Sequence, residues 1–350
     1  MKTLPAATLL LLLSLPGQAL NIQLNASPGM NADALAGFEM AASYWESRLT
    51  DSVQVNIDIG YENLGPQILG QAGSNQVVVS AANFFNALGT DSTTSYDALA
   101  VGNLPALSGL GGLSFLTQKN TEGGSTAVSL DNDNSANNRF LALNTANAKA
   151  LGLYSSTAAD ASITFSSAFS WDFNPGDGNG VGAGLQDFVG VAIHEIGHAL
   201  GFTSGVDSVD FAITGDPASS PPYNAPFDLD GYAVFTSLDM FRYSAPGTLN
   251  LAAGGTPYFS LNGGATNLGA FSTGTEHGDG AQTSHWKDNL SLGIMDPTAR
   301  PPGQANEVTQ LDLIAMDVIG WNVSYAVPEP ASAVLAAIAL LGLARRRRSC

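Results

Sequence analysis

Hydrophobic positions change period several times along this chain. Over residues 34–49, Phe38, Ala41, Ala42, Trp45 and Leu49 fall at helical spacing, with Asn31 or Asp33 placed to cap the helix start. Val53, Val55, Ile57 and Ile59 then alternate with Gln54, Asn56 and Asp58, which predicts a half-buried strand. Gln76–Ser80 reads as a second strand. Ile163, Phe165, Phe169, Trp171 and Phe173 predict a third, longer one. Residues 184–200 are apolar at Leu185, Phe188, Val189, Val191, Ala192, Ile193, Ile196, Ala199 and Leu200, predicting a buried helix; Gly201 then suits a left-handed cap.

After that helix the pattern loosens. Residues 203–283 are rich in Gly, Ser, Pro and Asp, with a hairpin expected over 258–271 around Asn262 and Gly263. So long a stretch cannot be structureless inside a compact domain, and it is expected to form a second lobe that walls a cleft. Thr309 and Asp312 have capping-box spacing ahead of Leu313, Ile314, Met316, Val318 and Ile319, predicting a last helix that ends at Gly320.

The two ends read as addresses. Lys2, an apolar run from Leu4 to Leu15 and the small-residue exit Gly17, Gln18, Ala19 predict a signal peptide over 1–19. At the other end Val327, Pro328, Glu329 and Pro330 precede a largely apolar stretch over 331–344 and four arginines at 345–348. This layout resembles a PEP-CTERM sorting signal, which implies an exosortase-type membrane enzyme as a partner and an exported protein. Fourteen residues at helical rise reach only about 21 Å, short of a hydrocarbon core of about 30 Å, so membrane association is expected to be transient. A short anchor that is never cut is the competing reading.

The expected domains are thus a signal peptide over 1–19, a catalytic domain over 20–326 and a sorting segment over 327–350. Between the two signals, seven basic residues face 29 acidic ones, a net charge of −22. Such a surface repels nucleic acid and anionic lipid. The only cysteine is Cys350, so no disulfide is expected and no thiolate is available to cap a metal in a latent precursor.

The chemistry sits in the buried helix. His194, Glu195, Ile196, Gly197 and His198 spell H-E-x-x-H, in which residues four apart share one helical face. Two imidazoles then converge on one cation and Glu195 addresses a water beside it, the constellation of a zinc peptidase. A catalytic zinc takes three protein ligands and keeps one position open. Only His277 and His285 remain among the four histidines, with Asp207, Glu276 and Glu307 as carboxylate alternatives.

Two islands carry a resemblance that chooses between them. Residues 194–202 read H-E-I-G-H-A-L-G-F, and Ser284, His285, Trp286, Lys287 are followed by Gly293, Ile294, Met295, Asp296, Pro297. Together they resemble leishmanolysin, a metzincin in which a long insertion separates the helix from the third histidine and a Met-turn follows. They are also similar to exported bacterial metalloproteases with a PEP-CTERM tail. Ser204 stands where shorter metzincins place the third ligand, so the resemblance implies His285 instead. It further implies Met295 as the apolar floor beneath the metal. The fold it implies is α+β and metzincin-like in two lobes: an N-terminal lobe of mixed sheet and helices over about 20–202, ending in the active-site helix, and a C-terminal lobe over about 203–326 with the Met-turn and a final helix.

On this reading Zn²⁺ acidifies a water, Glu195 takes its proton and passes it to the leaving amine, and the substrate is a protein or peptide. A non-catalytic exported surface or matrix protein with a metal-stapled fold is the alternative, as is a hydrolase of a non-peptide substrate. Three polar clusters have the oxygen-rich character of Ca²⁺ loops: Asp131, Asn132, Asp133 and Asn134; Asp172, Asn174, Asp177 and Asn179; Asp228 with Asp230. None completes an EF-hand pattern, and Asx-turns are the favoured reading of each.

Overall fold

The computed structural model describes residues 20–65, 68–118, 127–213 and 229–325. The expected signal peptide, the sorting segment and Asp228 lie outside the described residues. The fold is mixed α+β.

The principal sheet runs in the order β1 (Asn21–Ala26), β2 (Gln54–Glu62), β8 (Ala161–Ser166), β3 (Gly70–Ser74). β1, β2 and β8 are parallel, while β3 pairs antiparallel with β8 at the edge. Helix α1 (Ala32–Arg48) is capped by Asn31, whose side chain accepts from the Ala34 amide. It presents Phe38 and Trp45, both fully buried. Phe38, Phe165 and Phe188 meet within 4.8–5.1 Å, welding α1 and the sheet to α6 (Phe188–Leu200), the helix that carries the H-E-x-x-H motif. Trp45 adds a hydrogen bond from its indole N–H to the Ile193 carbonyl (3.0 Å).

Around this lie α2 (Ala81–Asp91), α3 (Ser95–Val101), α4 (Ala136–Arg139) and α5 (Thr145–Ala150). Two-stranded ladders join β4 (Gln76–Ser80) to β7 (Phe140–Asn144) and β5 (Phe115–Gln118) to β6 (Val128–Asp131). Beyond α6 come α7 (Val206–Ile213) and a four-stranded sheet, β12 (Thr248–Leu249), β11 (Arg242–Ala245), β13 (Tyr258–Phe259), β14 (Gly269–Ala270). Pairing of β13 with β14 forms the expected hairpin, with a wide loop through Asn262 and Gly263. The last helix, α8 (Gln310–Val318), has the Thr309–Asp312 capping box, and Gly320 follows with φ 109°.

Two sequence expectations need correction. The long strand over Ile163 to Phe173 stops at Ser166, turns, and resumes only as β9 (Trp171–Asp172), paired with β10 (Gln186–Asp187). Its apolar alternation continues because Trp171 folds back: the indole stacks on Phe165 at 5.5 Å and donates to the Ser166 carbonyl (2.8 Å). The motif helix begins at Phe188 rather than near residue 184, because Asp187 caps it by accepting from the Gly190 amide (2.9 Å).

Candidate metal centre

One turn of α6 puts His194 and His198 on the same face. Each imidazole is oriented by its other nitrogen. His194 Nδ1 lies 2.6 Å from the Ile294 carbonyl and His198 Nδ1 lies 2.7 Å from the Phe202 carbonyl. His285 arrives 87 residues after His198, with Nδ1 3.2 Å from the Gln282 carbonyl. A carbonyl only accepts, so each Nδ1 carries the hydrogen and each Nε2 presents a lone pair.

The three Nε2 atoms face one another at 3.0, 3.1 and 3.3 Å. Lone pairs this close repel unless a cation lies between them. Nitrogens bound at about 2.0–2.1 Å around a tetrahedral zinc stand about 3.3 Å apart, close to the observed separations. Burial, then the neighbouring imidazole, holds each ring's pKa down to about 3, against the opposing pull of its backbone carbonyl. All three rings are therefore neutral ligand-type imidazoles at neutral pH. Among the described residues no fourth His, Cys, Asp or Glu joins this group.

Glu195 is buried beside the cluster, and desolvation raises its carboxyl to about 7. The edge strand β3 starts directly over it: a Cβ on Gly70 would stand 3.4 Å from Glu195 Oε1 and 2.7 Å from the Phe165 ring. Both the cleft over the three histidines and an adjoining cavity open onto Glu195.

His285 is held from behind by an acidic residue of α7. Asp207 accepts from the amide (2.5 Å) and hydroxyl (2.9 Å) of Thr283 and from the amide (3.2 Å) and hydroxyl of Ser284. Asp207 thus fixes the approach to His285 and is not one of the three converging groups. Burial raises its pKa, while these four donors act to lower it. On the far side, Ser272 donates its amide to the His285 carbonyl (3.0 Å), and Trp286 stacks on Phe271 at 5.1 Å.

Asp312 ties the floor of the site to the last helix. Besides closing the capping box, it accepts from the amide of Ile294 (2.9 Å), the amide of Met295 (3.3 Å) and the indole of Trp286 (2.8 Å). One carboxylate therefore positions the carbonyl that orients His194, the residue beside His285, and Met295. The capping role was readable from spacing, whereas the other contacts join residues 17 to 26 positions apart.

His277 lies elsewhere. Its amide donates to Asp210 (2.8 Å), and its ring is outside the cluster, as are the carboxylates of Glu276 and Glu307. Of the polar loops, Asp133, Asp172 and Asp177 form Asx-turns to the amides of Ser135, Asn174 and Asn179. Asp131, Asp133 and Asp230, from two separate stretches, bring carboxylate oxygens within 4.8 Å of one another. The Asn137 side-chain amide donates to both Asp131 (3.1 Å) and Asp230 (3.4 Å).

Residues 326–348 match the PEP-CTERM protein-sorting motif. No curated protein and no solved structure matches the chain. The motif marks proteins that are exported and processed or anchored at the cell surface by exosortase, so this chain is an exported one recognised by that sorting machinery.

Proposed function

We propose that this exported protein is a zinc endopeptidase of metzincin-like design, with His194, His198 and His285 as ligands and Glu195 as the proton-transfer residue. What carries the reading is the inward convergence of three Nε2 lone pairs next to the buried Glu195 carboxyl. Zinc, when bound, supplies Lewis acidity that acidifies water and polarises a carbonyl.

The chain's own residues do the rest. The Ile294, Phe202 and Gln282 carbonyls keep the three rings in one tautomer and aim them. Glu195, with a carboxyl near pH 7, accepts a proton from the attacking water and returns it to the leaving amine. The missing fourth ligand among the described residues leaves room for substrate, which a closed structural site would not. Met295 packs beneath α6 as an apolar floor, its Sδ against Gly197.

The test is chelator-sensitive cleavage of casein by the purified protein, compared with Glu195→Gln. The variant is expected to hold one zinc, melt like the parent and lose nearly all hydrolysis, by about 10³-fold or more. Undiminished turnover by zinc-loaded Glu195→Gln would remove Glu195 from the mechanism.

A further inference from the structure

A cavity of about 380 Å³ opens beside the metal cleft. It is lined by His194 and Glu195 but not by His198 or His285, so it lies to one side of the three-histidine cluster. On the proposed protease reading, on which this inference rests, Glu195 delivers the proton to the leaving amine. Because Glu195 lines this cavity as well as the cleft over the histidines, the side chain of the residue that carries that amine is within reach of it.

The cavity's walls and floor differ in character. Leu69, Val191 and Ile294 form apolar walls suited to a chain of methylenes. Asp296, just past the Met295 turn, also lines it and is half-buried. Besides Glu195, the other charged groups of the lining, Arg300 and Glu307, are exposed and opposite in sign, so neither sets the charge inside. No ion pair joins Arg300 to Asp296 among the described residues. Burial, the largest influence, raises the Asp296 carboxyl to about 6; the Gly293 and Leu292 backbone amides act to lower it, and the charges of Asp312 and Asp288 to raise it.

We propose that Asp296 makes this cavity a specificity pocket for a lysine or arginine side chain on the amine side of the cleaved bond. The methylene stem lies against Leu69, Val191 and Ile294 while the cationic tip meets the Asp296 carboxylate.

Profiling zinc-loaded protein against a peptide library, with mass-spectrometric reading of the new N-termini, tests it. Lys and Arg are expected to dominate those termini. Asp296→Asn is expected to lower the ratio of kcat/KM for Lys over Leu substrates by roughly ten- to a hundredfold, the worth of one charge-assisted hydrogen bond. Asp296→Arg should turn the preference toward Asp and Glu. A library profile without basic enrichment, or an unchanged ratio in Asp296→Asn, overturns the proposal, and the unsubstituted protein's profile decides the matter even where a variant does not fold. Absence of any cleavage would instead count against the protease reading. The pocket is then judged by titrating zinc-loaded Glu195→Ala protein with Lys- and Leu-bearing peptides, where equal affinity overturns it and tighter Lys binding supports it.

Discussion

Met295 presses its sulfur against the backbone of α6 at Gly197, where a Cβ would stand 2.7 Å from Sδ. The turn that bears Met295 also supplies the Ile294 carbonyl to His194, so the packing of this pair sets the height of the helix above its floor. Gly197→Ala should overpack the contact, cost about 1–3 kcal/mol and weaken zinc binding by displacing Ile294. Met295→Leu, nearly equal in volume, should cost under about 1.5 kcal/mol and keep the metal. Thermal melts with zinc titrations check both, and tight zinc binding by a fully stable Gly197→Ala would show that the contact is not a constraint.

Asp312 is expected to matter more than a helix cap ordinarily does. Removing it with Asp312→Ala strands the Trp286 indole N–H and the Ile294 and Thr309 amides in buried or half-buried positions. The expected loss is ~3–5 kcal/mol, against about 1 for a simple cap. Zinc affinity should fall with it, since the His194-orienting carbonyl and the His285 neighbour lose one anchor. A stability loss near 1 kcal/mol by denaturant titration, with zinc binding intact, would reduce Asp312 to its capping role.

How much of this was legible in sequence depends on the range of the interactions involved. The motif helix and the α8 capping box were readable because their partners lie three or four residues apart. Selecting His285 over His277 needed a family resemblance, because 87 residues separate it from His198 and no local pattern spans that distance. Strand β3 went unread: its sequence, Gly-Gln-Ala-Gly-Ser, has no apolar alternation, since as an edge strand over the cleft it packs little. Asp207 drew notice only as a ligand alternative, while its work as an acceptor for Thr283 and Ser284 is a long-range contact made by an ordinary helix acid. Asp131 and Asp230 read as separate loops for the same reason.

A cluster of acids near the last helix should give the protein an acid-side gain in stability. Burial first, then the charge of Asp51, raises Asp91 to about 6, against the Asn322 side chain and together with Asp97; Asp317 is likewise raised to about 6, chiefly by burial. The folded state therefore holds more protons than the unfolded chain between about pH 4 and 6, and stability from these groups is present below that window and lost as pH rises through it. Asp91→Asn keeps an oxygen for the Asn322 amide, now 3.1 Å away, and removes the charge. It should raise the melting temperature at pH 7.5 and make no difference near pH 4. A variant that is destabilising at pH 7.5 would mean that the charge on Asp91 is favourable.

Metal binding separates the two downstream histidines most directly. His285 Nε2 stands 3.1 and 3.3 Å from its two partners, whereas His277 is anchored through its backbone to Asp210 and lies outside the group. The protein is expected to hold one zinc, and a ligand at a hundred times its dissociation constant adds about 2.7 kcal/mol of stability. A chelator should therefore lower the melting temperature of the unsubstituted protein and of His277→Ala alike. In His285→Ala, only two imidazoles remain, so zinc should be lost on dialysis and the chelator should change nothing. Equal zinc content in both variants would place the third ligand somewhere other than His285.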